Sequence, residues 1–394
     1  MTGREARAEV LRAHGATAAE AEELLAYTEP AFRVPDDPGG PFPLPDEPWV
    51  AAWEGYAAEA EARGAWPVLR ERLVQLRFPV AEGISATEAY RAATRRGEAS
   101  WPAAGGVELR APERLRLLLH PTAAGRVPVL VAGCRDDFVA LVRALARRGE
   151  PDPVPPSMGA CIVGGLVNWD RVAALRRAWQ AEHPGDDGGG WAAEMRALAP
   201  RKELYQDRFV LLGRGPYSGV PAAAMGMAEE EWEEVSLTIR LEHECAHHFT
   251  RRVFGSMRNT VHDELLADFA GVVSACGRFR ADWVLRFLGV EDFPRFRPDG
   301  RLRSYRGDPP LGDGAFRVLQ SVARGAAAAL EEAAPERALD WRDPAARARI
   351  LAALARLTVE EMAAPGGAAR LAAAVRAPRD RLVHDKLDCE HAGV

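Results

Sequence analysis

Residues 243–247 read His-Glu-Cys-Ala-His, two imidazoles four positions apart. That spacing brings both rings to one side of the chain only on an α-helix, where positions i and i+4 lie one turn apart on the same face. The chain around residue 245 is therefore constrained to be helical. The acidic run from Glu229 to Glu234 suits the positive end of such a helix. Two imidazoles so placed can share one metal ion. Glu244 is rotated by roughly 100° from His243, close enough for its carboxylate to take a proton from a metal-bound water without itself being a ligand. Cys245 faces away from both histidines and reads as packing.

A hydrolytic zinc site keeps three protein ligands and an open position, so a third donor has to come from elsewhere. Residues 262–268, His-Asp-Glu-Leu-Leu-Ala-Asp, can supply it. On a second helix Glu264 and Asp268 share a face, Glu264 to reach the ion and Asp268 to accept the outer N–H of a ligating histidine. Leu265, Leu266, Phe269, Val272 and Val273 would bury much of the rest of that helix, and Phe254, Gly255 and Asn259 fall where the chain must turn back. His262 is an alternative third ligand.

With its HExxH and a downstream Glu-x-x-x-Asp, the segment of about residues 228–275 resembles the gluzincin, thermolysin-like metallopeptidases. The resemblance implies that His243, His247 and Glu264 hold Zn2+, that Glu244 acts as general base on the water, and that Asp268 steadies a histidine. It also implies a zincin-like catalytic core, in which an edge strand before the metal helix binds extended substrates through its backbone. Phe209–Leu212 stands at that place in the sequence.

At 394 residues the chain is longer than most single domains. Its net charge of −6 gives no reason to expect nucleic acid or an anionic membrane as a partner. No apolar run approaches the roughly 20 residues of a spanning helix, and the amino terminus lacks the apolar core of a secretory signal. The five cysteines, Cys134, Cys161, Cys245, Cys276 and Cys389, form no Cys-x-x-Cys pair and are odd in number, which argues against a disulfide framework. A cytoplasmic setting is expected.

Periodicity and turn residues organise the chain into three expected regions. Residues 1–104 are helical, with one helix over 4–28, a Pro-rich connection at 35–48, and further helices over 49–63, 67–77 and 86–96. Trp49, Trp53, Tyr56 and Trp66 recur there at core spacing. Residues 105–275 are mixed, with strands near 127–133, 157–167 and 208–212, helices over 138–147 and after Asn168, a flexible loop at 184–190, and the two metal-site helices. Residues 276–394 form a helical C-terminal lobe, with helices over 314–334 and 345–374. The fold class is thus α+β, predominantly helical, with a small mixed sheet and an active-site helix.

The function expected is that of a zinc-dependent, peptidase-like hydrolase cleaving an amide in a peptide or small amide substrate. Tyr217, His262, Tyr305 and Arg306 are candidates to stabilise the developing oxyanion, while His248 reads as a supporting or surface histidine. Two alternatives stay open: a non-catalytic scaffold that keeps the fold with a structural metal, and a tailoring enzyme acting on a non-peptide amide or ester.

Overall fold

The computed structural model describes residues 3–30, 32–35, 41–98, 105–185, 189–258, 260–334 and 340–376. Asn259, Cys389, residues 36–40 of the Pro-rich connection and 186–188 of the expected loop lie outside them. The chain forms two compact units, Leu44–Cys245 and a second made of Met1–Pro43 with Ala246–Val394. The regions expected from the sequence had their limits at 104/105 and 275/276 instead. The helix Glu229–Val253 is continuous across the division and contributes to both units. Helices dominate throughout, and no helix among the described residues is long and apolar enough to cross a membrane.

The Leu44–Cys245 unit is built on a four-stranded mixed sheet. Its strands are β1 (Arg116–Thr122), β2 (Gly125–Val131), β3 (Ala160–Val167) and β4 (Gln206–Leu212), in the order β1-β2-β4-β3. β1 and β2 are an antiparallel hairpin closed between Thr122 and Gly125, whose φ of +87° needs a residue without a Cβ. β2 runs parallel to β4, and β3 is antiparallel to β4. Phe209–Leu212 therefore occupies an interior strand, not the expected edge; β3 takes the edge. The sequence reading also missed β1, whose Arg116-to-Thr122 stretch is mostly half-buried and carries His120 and Pro121, so neither a strict alternation nor an apolar run marks it.

One face of the sheet packs Val129, Val131, Val210 and Leu212 against Leu237, Leu241 and Cys245, which are four residues apart on the long helix. The other face carries the larger core, where Trp53, Leu69, Phe138, Leu141 and Phe209 are fully buried. Trp49, Trp53 and Tyr56 belong to this core and Trp66 packs against it.

A polar knot lies inside the unit. The Asp207 carboxylate, at the start of β4, accepts from Trp53 Nε1 at 2.8 Å and from Asn168 Nδ2 at 2.6 Å, and pairs with the buried Arg171 guanidinium. Asn168 Oδ1 in turn accepts from the backbone N–H groups of Asp170 and Arg171, capping the helix Trp169–Glu182 that the sequence placed after it.

In the other unit, the single helix expected over 4–28 is two, Gly3–Ala13 and Ala18–Tyr27. Gly15 adopts φ +96°, and Thr17 with Glu20 forms a capping box that restarts the helix. The helix expected over 345–374 is likewise broken into Pro344–Arg356, Val359–Ala363 and Gly367–Arg376, with a second capping box at Thr358 and Glu361. Helix Asp313–Ala333 follows the expected bounds within a residue. Helix Val261–Cys276 is buried along nearly its whole length.

Asp207→Ala should lower stability by about 3–5 kcal/mol, because it leaves Arg171 buried without its counter-charge. Urea unfolding followed by circular dichroism measures this, and a loss below about 1 kcal/mol would mean that the knot is not a stabilising element.

Candidate metal centre

The long helix Glu229–Val253 carries His243 and His247 one turn apart, and both side chains are buried. Within the second unit His247 Nε2 lies 3.5 Å from Glu264 Oε1 on the helix Val261–Cys276. His243, Nδ1 or Nε2, His247 and Glu264 can each offer one ligand atom such that all lie within 4.8 Å of one another. The three residues singled out from the sequence as ligands are thus brought together. Glu244, between the two histidines, is half-buried.

Two of the three candidate ligands, His243 and Glu264, are held from behind. His243 Nδ1 is hydrogen-bonded to the Tyr217 hydroxyl at 2.9 Å, which fixes the ring and turns Nε2 the other way. Tyr217 belongs to a loop stitched to the long helix by four side chains spaced four, four and three residues apart. Trp232 Nε1 donates to Val220 O at 2.7 Å, Ser236 Oγ accepts from the Tyr217 N–H at 2.9 Å, Arg240 donates to Gly213 O at 2.9 Å, and His243 completes the row. The Arg240 guanidinium also stands 5.8 Å from the centre of the Tyr217 ring.

Glu264 is held by the 3-10 turn Arg301–Tyr305. The Tyr305 hydroxyl donates to Glu264 Oε2 at 2.7 Å, and Arg301 Nε lies 3.9 Å from the same oxygen. Burial drives the Tyr305 hydroxyl well above its ordinary pKa, so it remains a donor. The Asp268 carboxylate is fully buried and pairs with the Arg301 guanidinium. Asp268, expected to steady a histidine, pairs with the guanidinium of Arg301, a residue the sequence did not single out. A backbone crossing aims this turn: a Cβ on Gly289 would stand 2.6 Å from the Gly300 Cα, and one on Gly300 would strike the Leu288 carbonyl. Two glycines let the end of helix Ala281–Leu288 lie directly against the residue that precedes the turn.

The donor set suits a divalent cation. Two imidazole nitrogens and a carboxylate oxygen are the ligand types of a three-residue zinc site. Glu264 and Asp268 are buried carboxylates that lie close to the Arg301 guanidinium, and a bound cation would add to the compensation of their charge.

The remaining candidates have other partners. Tyr217 and Tyr305 hold ligands, as above. Arg306 pairs with Asp313 at 2.8 Å. His262 Nε2 lies 3.4 Å from Leu354 O, and burial lowers its pKa to about 4, so the ring is neutral. It does not belong to the group that His243, His247 and Glu264 form. His248, read as a supporting or surface histidine, is buried. Cys245 packs against the sheet as expected. Burial, and after it the charge of Glu244, pushes the Cys161 thiol up to about 12, so Cys161 stays protonated and is no nucleophile. Next to Glu264, burial raises the Asp263 carboxyl to about 7, while its Oδ2 accepts from the Arg258 N–H at 2.6 Å.

Replacing Tyr217 or Tyr305 with Phe should leave the fold intact and weaken metal retention about 10-fold to 100-fold, the usual effect of removing a group that orients a ligand. Competition against a chelator of known affinity reads this directly, and unchanged retention in both variants would remove the hydroxyls from the site.

No curated protein and no solved structure matches the chain. Residues 9–366 match a family model described as a family of unknown function, DUF7005. With nearly the whole chain inside that match, the protein belongs to the DUF7005 family.

Proposed function

We propose that the chain is a zinc-dependent hydrolase that cleaves an amide bond, with a zincin-like, gluzincin-type core. The observation that carries this reading is the convergence of His243, His247 and Glu264 on a common point with a half-buried carboxylate, Glu244, between the two histidines. A purely structural metal has no need of an acid or base beside it.

When bound, zinc would bring the acidity of a water toward neutrality and polarise the substrate carbonyl. The chain supplies the rest. His243 and His247 present their rings from consecutive turns of one rigid helix, with Tyr217 holding the first of them. Glu264 is kept in place through Oε2 by Tyr305, which leaves Oε1 directed toward His247. Glu244 takes the proton of the attacking water and delivers it to the leaving nitrogen. Burial of the ligands keeps bulk water from competing for them.

An extended substrate has a place to bind. β3 is an edge strand, and its Ala160 and Ile162 pack in the same cluster as Leu237, Leu241 and Cys245 of the long helix. A peptide added to that edge would run past the general base, its backbone held by unpaired strand groups. This role passes to β3 from Phe209–Leu212, which is interior. The four cysteines among the described residues are free thiols, in keeping with the cytoplasmic setting proposed for the enzyme.

Elemental analysis of the purified chain should find one zinc per molecule, and a chelator should abolish turnover in a screen of peptides and small amides. Glu244→Gln should keep the metal and lose at least about 100-fold in kcat. Activity equal to the parent in that variant would refute the assigned base. Glu264→Ala that retains zinc as tightly as the parent would refute the third ligand.

A further inference from the structure

The turn Arg301–Tyr305 points two side chains, Arg301 and Tyr305, at the acidic residues of the metal helices. Arg303, from the middle of the same turn, lines a separate cavity of about 400 Å³ within the second unit. That volume is in the range of metabolite sites. Its walls combine positive charge with an aromatic surface. Arg303, Arg306 and Arg317 contribute three guanidinium groups against one carboxylate, Asp313. Arg306 pairs with that carboxylate and lies over the Phe316 ring, 4.7 Å from its centre. Arg303 is exposed and has no ion-pair partner among the described residues. Arg317 is exposed, and Glu20, whose carboxyl is lowered first by its hydrogen bonds to Thr17, also feels its charge. Phe296 and Phe316 meet edge to face at 5.3 Å and form an apolar wall.

We propose that this cavity binds a small organic oxyanion, a carboxylate or phosphate on an apolar body. The anionic group is held by Arg303 and Arg317, and the body lies against Phe296 and Phe316. Guanidinium forks suit both oxyanions, and the experiment separates the two. The site uses none of the residues assigned to the metal.

The full-length chain is titrated calorimetrically with phenyl phosphate and, separately, with benzoate. At least one should bind at micromolar to millimolar concentration, more tightly than phenol, and weaken as salt is raised. The tighter of the two identifies the oxyanion. Arg303→Gln and Arg317→Gln, both at exposed positions, should each weaken binding about tenfold. Glu264→Ala should bind as the parent does, which separates this site from phosphate or carboxylate captured by a metal. No binding of either probe at millimolar concentration, or undiminished binding in the double Arg303→Gln, Arg317→Gln variant, would overturn the proposal, as would loss of binding in Glu264→Ala alone.

Discussion

Three differently loaded faces of one helix, Glu229–Val253, govern this molecule. Leu237, Leu241 and Cys245 are committed to the sheet, while Trp232, Ser236, Arg240 and His243 are committed to the loop that carries Tyr217. The 3.6-residue period separates these rows by about a third of a turn, so both can be satisfied without competing. Glu244 projects from the interval between them. A helix fixed on two sides has little freedom to rotate, and the imidazoles it bears inherit that rigidity.

Buried charge sets the second requirement. Glu264 and Asp268 are removed from water on a helix that is buried along almost its full length, and each needs compensation. Arg301 and Tyr305 provide part of it from a single 3-10 turn, and the glycine pair Gly289 and Gly300 gives that turn its close approach. A cation beside the two carboxylates would add to that compensation. Arg303 and Arg306, within and just after the same short turn, serve the oxyanion cavity. Five or six residues thus divide their charges between two acidic side chains and a separate pocket.

Local signals in the chain were readable where a short-range rule decides the outcome. Asn168 caps its helix because its side chain reaches the N–H groups of Asp170 and Arg171, and residues 314–334 fold within a residue of the expected helix. Reading failed where a local interruption is small or a pattern is mixed. Gly15 and the Thr17 capping box break an Ala- and Glu-rich stretch that otherwise looks continuous, and the Thr358 box does the same later in the chain. β1 carries a histidine and a proline in a half-buried strand and leaves no periodic trace. The interior position of β4 has no local signal at all, since strand order is decided by long-range pairing.

The sequence by itself determined the helical register of His243, Glu244 and His247 and the shared face of Glu264 and Asp268, because a helix converts spacing into direction. It also marked Cys245 as packing. Tertiary structure alone decided that Tyr217 would back His243, that Arg301 would pair with Asp268, and that Tyr305 would hold Glu264. Those partners lie 26, 33 and 41 residues away along the chain. No periodicity connects residues at such separations; only the closing of loops and the need to compensate buried charge brings them together.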